Sequence, residues 1–115
     1  MASKTVRAGN EQGILVLSLL KPFIDDTLLA EFVSAYEPAM NGPSKLILDL
    51  SDLDYVDSSH LAAMVVCYKR VVERGGRVVF CGLNTSVRET FLVTRLDRIF
   101  TIAATRREAL ESIKA

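Results

Sequence analysis

Apolar residues fall along this chain in short unbroken blocks and in helically spaced sets, divided by strong breakers. Lys45 to Leu50 is apolar without alternation, which predicts a buried strand, Arg77 to Cys81 predicts another, and Ile14 to Leu20 predicts a strand ended by a Lys-Pro break. Thr5 to Arg7 predicts a short first strand turned by Gly9-Asn10, and Phe100 to Ile102 a short last one. Between them, Leu28, Phe32, Ala35 and Tyr36 recur at helical spacing. They predict a helix from Thr27 to Met40, capped by Asp25 or Asp26 and weakened near its end by Pro38. Asn41-Gly42-Pro43 is a break. A longer helix is expected from Ser58 to Arg74, stopped by Gly75-Gly76. Ser86 to Glu89 and Thr105 to Glu108 have capping-box spacing and open two further helices.

The order β-β-α-β-α-β-α-β-α calls for right-handed crossovers and a largely parallel sheet, with the first hairpin adding an antiparallel edge. The expectation is one α/β domain over residues 1–115, a mixed and largely parallel sheet with four helices.

Helical phase then assigns faces to the Ser58 to Arg74 segment. At about 100° per residue, Leu61, Met64, Val65, Tyr68, Val71 and Val72 lie within about 60° of one direction, the predicted buried face. Ser59 falls opposite, on the side of Ala63, Val66 and Arg70, with Ala62 on the flank. A serine there stands at the positive end of a helix dipole, beside unpaired backbone N–H groups, and tolerates a phosphate. Ser58 and Ser59 could serve merely as caps, but Asp57 already supplies one, and the small apolar patch below Ser59 suits a partner surface.

Composition narrows the function. Half of the 115 residues are hydrophobic, as in a globular chain. Fourteen basic and fourteen acidic residues leave no net charge, which argues against direct nucleic-acid binding. No signal peptide is readable, and the longest apolar run is too short for membrane insertion, so a cytoplasmic location is expected. Cys67 and Cys81 read as buried thiols. Asp25, Asp49 and Asp57 stand near strand or helix ends, where capping and turn bonding account for them better than a metal does. No metal or cofactor is expected. His60 beside Ser59 invites a nucleophile-base pair, but neighbouring helical residues point about 100° apart, and the chain has neither a Gly-x-Ser-x-Gly elbow nor a P-loop. The chain reads as a binding module, not an enzyme, with His60 expected on the surface.

Leu46-Ile47-Leu48-Asp49-Leu50-Ser51, followed by Tyr55-Val56-Asp57-Ser58-Ser59-His60-Leu61, resembles the STAS domain family, the bacterial anti-sigma factor antagonists. Gly75 to Leu83, the helix from Val87 and Leu96 to Phe100 extend the resemblance over nearly the whole chain. It implies the STAS fold and a phosphorylated serine at Ser59. The unphosphorylated form would bind an anti-sigma factor with serine kinase activity and so release a sigma factor; a serine phosphatase would reset it. The implied partner-facing rim comprises Asp25, Asp57, Ser58, His60, Ala62, Ala63 and Val66. Two departures stand out: His60-Leu61-Ala62 where the family commonly has Gly-Leu-Gly, and Lys21-Pro22-Phe23-Ile24-Asp25 before the first helix. The alternative is a non-switching STAS scaffold of a stressosome-type or lipid-transport complex. Either reading is compatible with a homodimer.

Overall fold

The computed structural model describes residues 6–20 and 26–114, without the side chains of residues 26–28. In chain order the elements are β1 (Val6–Glu11), β2 (Ile14–Leu19), α1 (Asp26–Tyr36), β3 (Lys45–Asp49), α2 (Ser58–Glu73), β4 (Arg77–Cys81), α3 (Thr85–Val93), β5 (Thr101–Ala103) and α4 (Arg106–Lys114). Short 3-10 turns follow α1 (Glu37–Met40) and α3 (Leu96–Arg98). The sheet runs β1-β2-β3-β4-β5, with β1 antiparallel to β2 and every other pairing parallel. This is the expected mixed α/β architecture.

Alternation along the strands gives the sheet two apolar faces. Leu17, Leu19, Leu46, Leu48, Val78 and Phe80 share the larger core with Phe32 and Tyr36 of α1, Met64, Cys67 and Val71 of α2, and Val87 and Phe91 of α3. Phe80 stacks on Phe100 at 4.2 Å and meets Phe91 edge-on at 5.9 Å, which seats α3 and the approach to β5 on the central strands. The other face, Ile14, Val16, Ile47, Val79 and Cys81, is covered by Ala109, Leu110 and Ile113 of α4.

Three local expectations change. The first hairpin turns at Gln12-Gly13, not Gly9-Asn10: both turn residues have positive φ (57° and 82°), and the Asn10 side chain accepts the Gly13 N–H at 3.1 Å. Gly9 and Asn10 pair with Val16 and Leu15 inside the ladder, because a two-residue turn with left-handed backbone matches strand twist. The first helix stops at Tyr36, and Pro38, which has no N–H to donate, sits in the following 3-10 turn. For α3, Asn84 is the cap and accepts the Val87 N–H at 2.8 Å; Ser86 is already inside the helix. Asp25 lies outside the described residues, so its capping role does too.

Candidate phosphoacceptor site

Strand β3 delivers the chain to a loop, residues 50–57, whose course is fixed at three places. At its start, Asp49 Oδ1 accepts the Ser51 N–H at 2.9 Å and also the Ser51 hydroxyl. In the middle, Asn84 Nδ2 donates to the Leu53 and Asp54 carbonyls, at 3.1 Å each, while its Oδ1 caps α3. One amide thus serves as helix cap and as loop anchor. At the end, Asp57 Oδ1 accepts the His60 N–H at 2.9 Å, and His60 Nδ1 accepts the Asp57 N–H at 3.2 Å. This is a reciprocal capping box with histidine in the place usually held by Glu or Gln. Leu53 and Val56 add apolar pins, both buried in the larger core.

Ser58 and Ser59 are therefore the first two residues of α2, and both are exposed. No acidic residue occupies the first turn of α2, and Asp57 at the cap sets a carboxylate against its N-terminal positive potential. Exposed Asp52 and Asp54 lie along the loop, and Tyr55 is 51% exposed. Below the serines, Ala62 is exposed and Val66 is 43% exposed.

Two predicted rim residues are not on the rim. His60 is fully buried, and Ala63 is buried in the larger core. The buried face of α2 is His60, Ala63, Met64, Cys67 and Val71. That face is turned by about 80° from the one taken from apolar spacing. Val65 is only half-buried and Val72 is 40% exposed. Apolar residues surround most of this helix, so spacing leaves the phase loose, while the capping box draws the His60 ring inward. The structure thus gathers Asp57, Ser58, Ser59, Ala62 and Val66 on one exposed surface and removes His60 and Ala63 from it.

Behind the loop is a charge cluster that sequence reading missed. Arg106, the first residue of α4, reaches Asp49 Oδ2 from Nε (3.0 Å) and Nη2 (2.8 Å). It also reaches Glu11 Oε1 from Nη1 (2.9 Å) and Ser18 Oγ from Nη2 (3.0 Å). Burial pushes the Asp49 carboxyl up, but the hydrogen bonds from Ser51 and then Arg106 outweigh it, leaving Asp49 below the ordinary carboxylate range. A nearly buried aspartate at a strand end needs such a partner; nothing local in the sequence says which of 14 cations supplies it.

Both cysteines are free and buried. Burial pushes the Cys67 thiol up to about 12, and burial with the Asp49 carboxylate does the same to Cys81. His60 Nδ1 is engaged by the Asp57 N–H. Among the described residues, no group of three or more His, Cys, Asp or Glu could hold a metal ion, and no helix is long and apolar enough to cross a membrane.

Comparison with known proteins agrees with the fold. The STAS domain family matches residues 6–109. A Bordetella bronchiseptica protein named as an anti-sigma factor antagonist, BtrV, is 33% identical over 73 residues, 64% of this chain. The matched stretch spans 63% of that relative's own length. A STAS domain structure from Planctomyces limnophilus superposes with a TM-score of 0.79 at 26% identity, covering 96% of this chain and 98% of its own. An anti-sigma factor antagonist from Thermotoga maritima has the same fold, with a TM-score of 0.84 at 24% identity and 97% of each chain covered. The chain belongs to the STAS domain family, in the company of anti-sigma factor antagonists.

Proposed function

We propose that this STAS domain is an anti-sigma factor antagonist switched by phosphorylation of Ser59. The observation that carries the reading is an exposed serine hydroxyl in the first turn of α2, at the end of a loop held in place from both sides. Such a site has only to present a nucleophile. The Ser59 oxygen bonds the γ-phosphorus of ATP, the bond to the β-phosphate oxygen breaks, ADP leaves, and a base of the partner kinase takes the serine proton.

In the unmodified form, Ala62, Val66 and Tyr55 offer apolar area to an anti-sigma factor with serine kinase activity, rimmed by Asp57 and Ser58. Phosphate adds about −1.5 to −2 charges at the same spot. The helix N-terminus accommodates that charge, so the domain keeps its structure while the partner meets a surface already made acidic by Asp52, Asp54 and Asp57. Binding is lost at the interface itself, and a serine phosphatase restores it.

The test is incubation with ATP and an anti-sigma factor of the serine-kinase type, read by intact mass and then peptide mapping. One added phosphate, on Ser59, supports the proposal. Phosphate on Ser58, or none, refutes it. Equal affinity of both forms for that kinase leaves the domain a permanent scaffold.

A further inference from the structure

His60 occupies a position where a surface residue was expected, and its burial is complete. The imidazole does more there than fill space. His60 Nδ1 lies 3.2 Å from the Asp57 nitrogen and 3.1 Å from Asp57 Oδ1; it accepts the Asp57 N–H, which requires a nitrogen without a proton and leaves the ring proton on Nε2. Asp57 in turn has extended backbone, φ −107° and ψ −176°, and its side chain holds the His60 N–H. The two residues brace each other across the two serines that lie between them in sequence. Val56, immediately before Asp57, is buried in the core, so the brace connects a fixed point in the loop to a fixed point in the helix.

We propose that His60, as the Nε2–H tautomer, is a positioning residue that holds the Ser59 hydroxyl ready for phosphoryl transfer by fixing Asp57. The proposal rests on Ser59 being the acceptor. The Asp57 carboxylate alone would still bind the His60 N–H, but it would leave the Asp57 N–H without its ring acceptor and the entry angle of the chain free to swing. A hydroxyl carried on a swinging first turn spends less of its time in line with the γ-phosphate.

Two substitutions separate this role from packing. His60→Asn places an amide oxygen where Nδ1 stood; His60→Leu keeps bulk and has no acceptor. In ¹⁵N-labelled protein, long-range correlation of the ring should show an unprotonated, hydrogen-bonded Nδ1 and a protonated Nε2. Amide exchange at Asp57 should accelerate by at least about tenfold in His60→Leu and stay within about twofold of wild type in His60→Asn, with β3 and β4 amides unchanged. With the partner kinase and ATP, His60→Leu should lower kcat by about tenfold or more at little-changed KM, and His60→Asn should restore it. A ring protonated on Nδ1, or wild-type exchange and phosphorylation in His60→Leu, overturns the proposal. If His60→Leu also loses protection in β3 and β4, His60→Asn decides: wild-type exchange upholds the proposal and rapid exchange at Asp57 overturns it. If even the wild-type protein takes no phosphate, the switch reading fails and the tautomer and exchange rates still decide the role of His60.

Discussion

Arg106 grips a single oxygen of Asp49 with two of its nitrogens, at 3.0 and 2.8 Å, while the other oxygen of the same carboxylate holds Ser51. A residue 57 positions further along the chain thereby joins α4, on one face of the sheet, to the start of the loop that leads to Ser59.

This pairing gives the fold an acid-sensitive component. The folded-state pKa of Asp49 lies below its ordinary value, so its contribution is complete above about pH 4 and is lost as pH falls through the folded value. Asp49→Asn should cost about 1–3 kcal/mol at neutral pH and flatten the acid limb of the stability curve. Urea unfolding followed at a series of pH values measures both effects; a variant with an unchanged acid limb would assign the acid sensitivity elsewhere.

Gly82 packs against the same cluster with φ +74°. A Cβ there would collide with Ser51 Oγ and stand 2.8 Å from Asp49 Oδ1. Gly82→Ala should destabilise by more than about 2 kcal/mol through backbone strain and the collision together. Thermal melting shows this directly, and a shift no larger than that of an exposed Gly9→Ala control would contradict it.

Helical phase can be read with a pair of aspartates. Met64→Asp places a charge at a fully buried position of α2 and should unfold the domain. Val66→Asp, on the exposed side, should change stability by no more than about 0.5 kcal/mol and weaken kinase binding. Melting curves and a binding isotherm together test the assignment, which fails if the two variants melt alike.

Ser59→Ala removes an exposed hydroxyl while Asp57 keeps the cap, so it should cost at most about 1 kcal/mol. It should abolish phosphate uptake, whereas Ser58→Ala keeps it. In the phosphorylated wild-type protein, backbone NMR shifts should cluster in residues 50–62. Shifts spread through the strands would point to an allosteric mechanism.

Both thiols are fully buried and pushed up to about 12. Iodoacetamide at neutral pH should therefore label neither Cys67 nor Cys81 until the chain unfolds. Mass spectrometry along a urea series should place both labels at the unfolding midpoint, and early labelling of one cysteine would reveal local opening around it.

The sequence carried most of the architecture because its breakers are strong: Asn41-Gly42-Pro43 and Gly75-Gly76 separate elements that follow in the expected order. The junction of loop and α2 was legible because Asp57-Ser58-Ser59 joins a strand end to a helix start. The orientation of α2 was not, since Leu61 to Tyr68 is apolar throughout and period alone cannot rank its faces. Polarity misled at His60, whose ring is buried while it accepts the Asp57 N–H. Arg106 was out of reach for another reason: its partners Glu11, Ser18 and Asp49 come from three strands that become neighbours only in the sheet.

A loop fixed by Ser51, Asn84 and His60 has surrendered its conformational freedom before any partner arrives. Docking on it therefore removes little further backbone entropy, and complex lifetime is governed by contact and charge rather than by ordering. Repulsion between solvent-exposed charges is screened over about 8 Å at physiological ionic strength and over about 3 Å at 1 M. Under the proposed switch, discrimination between the unmodified and phosphorylated surfaces is consequently a property of the solution as well as of the protein, widest in dilute buffer and narrowing as salt is added.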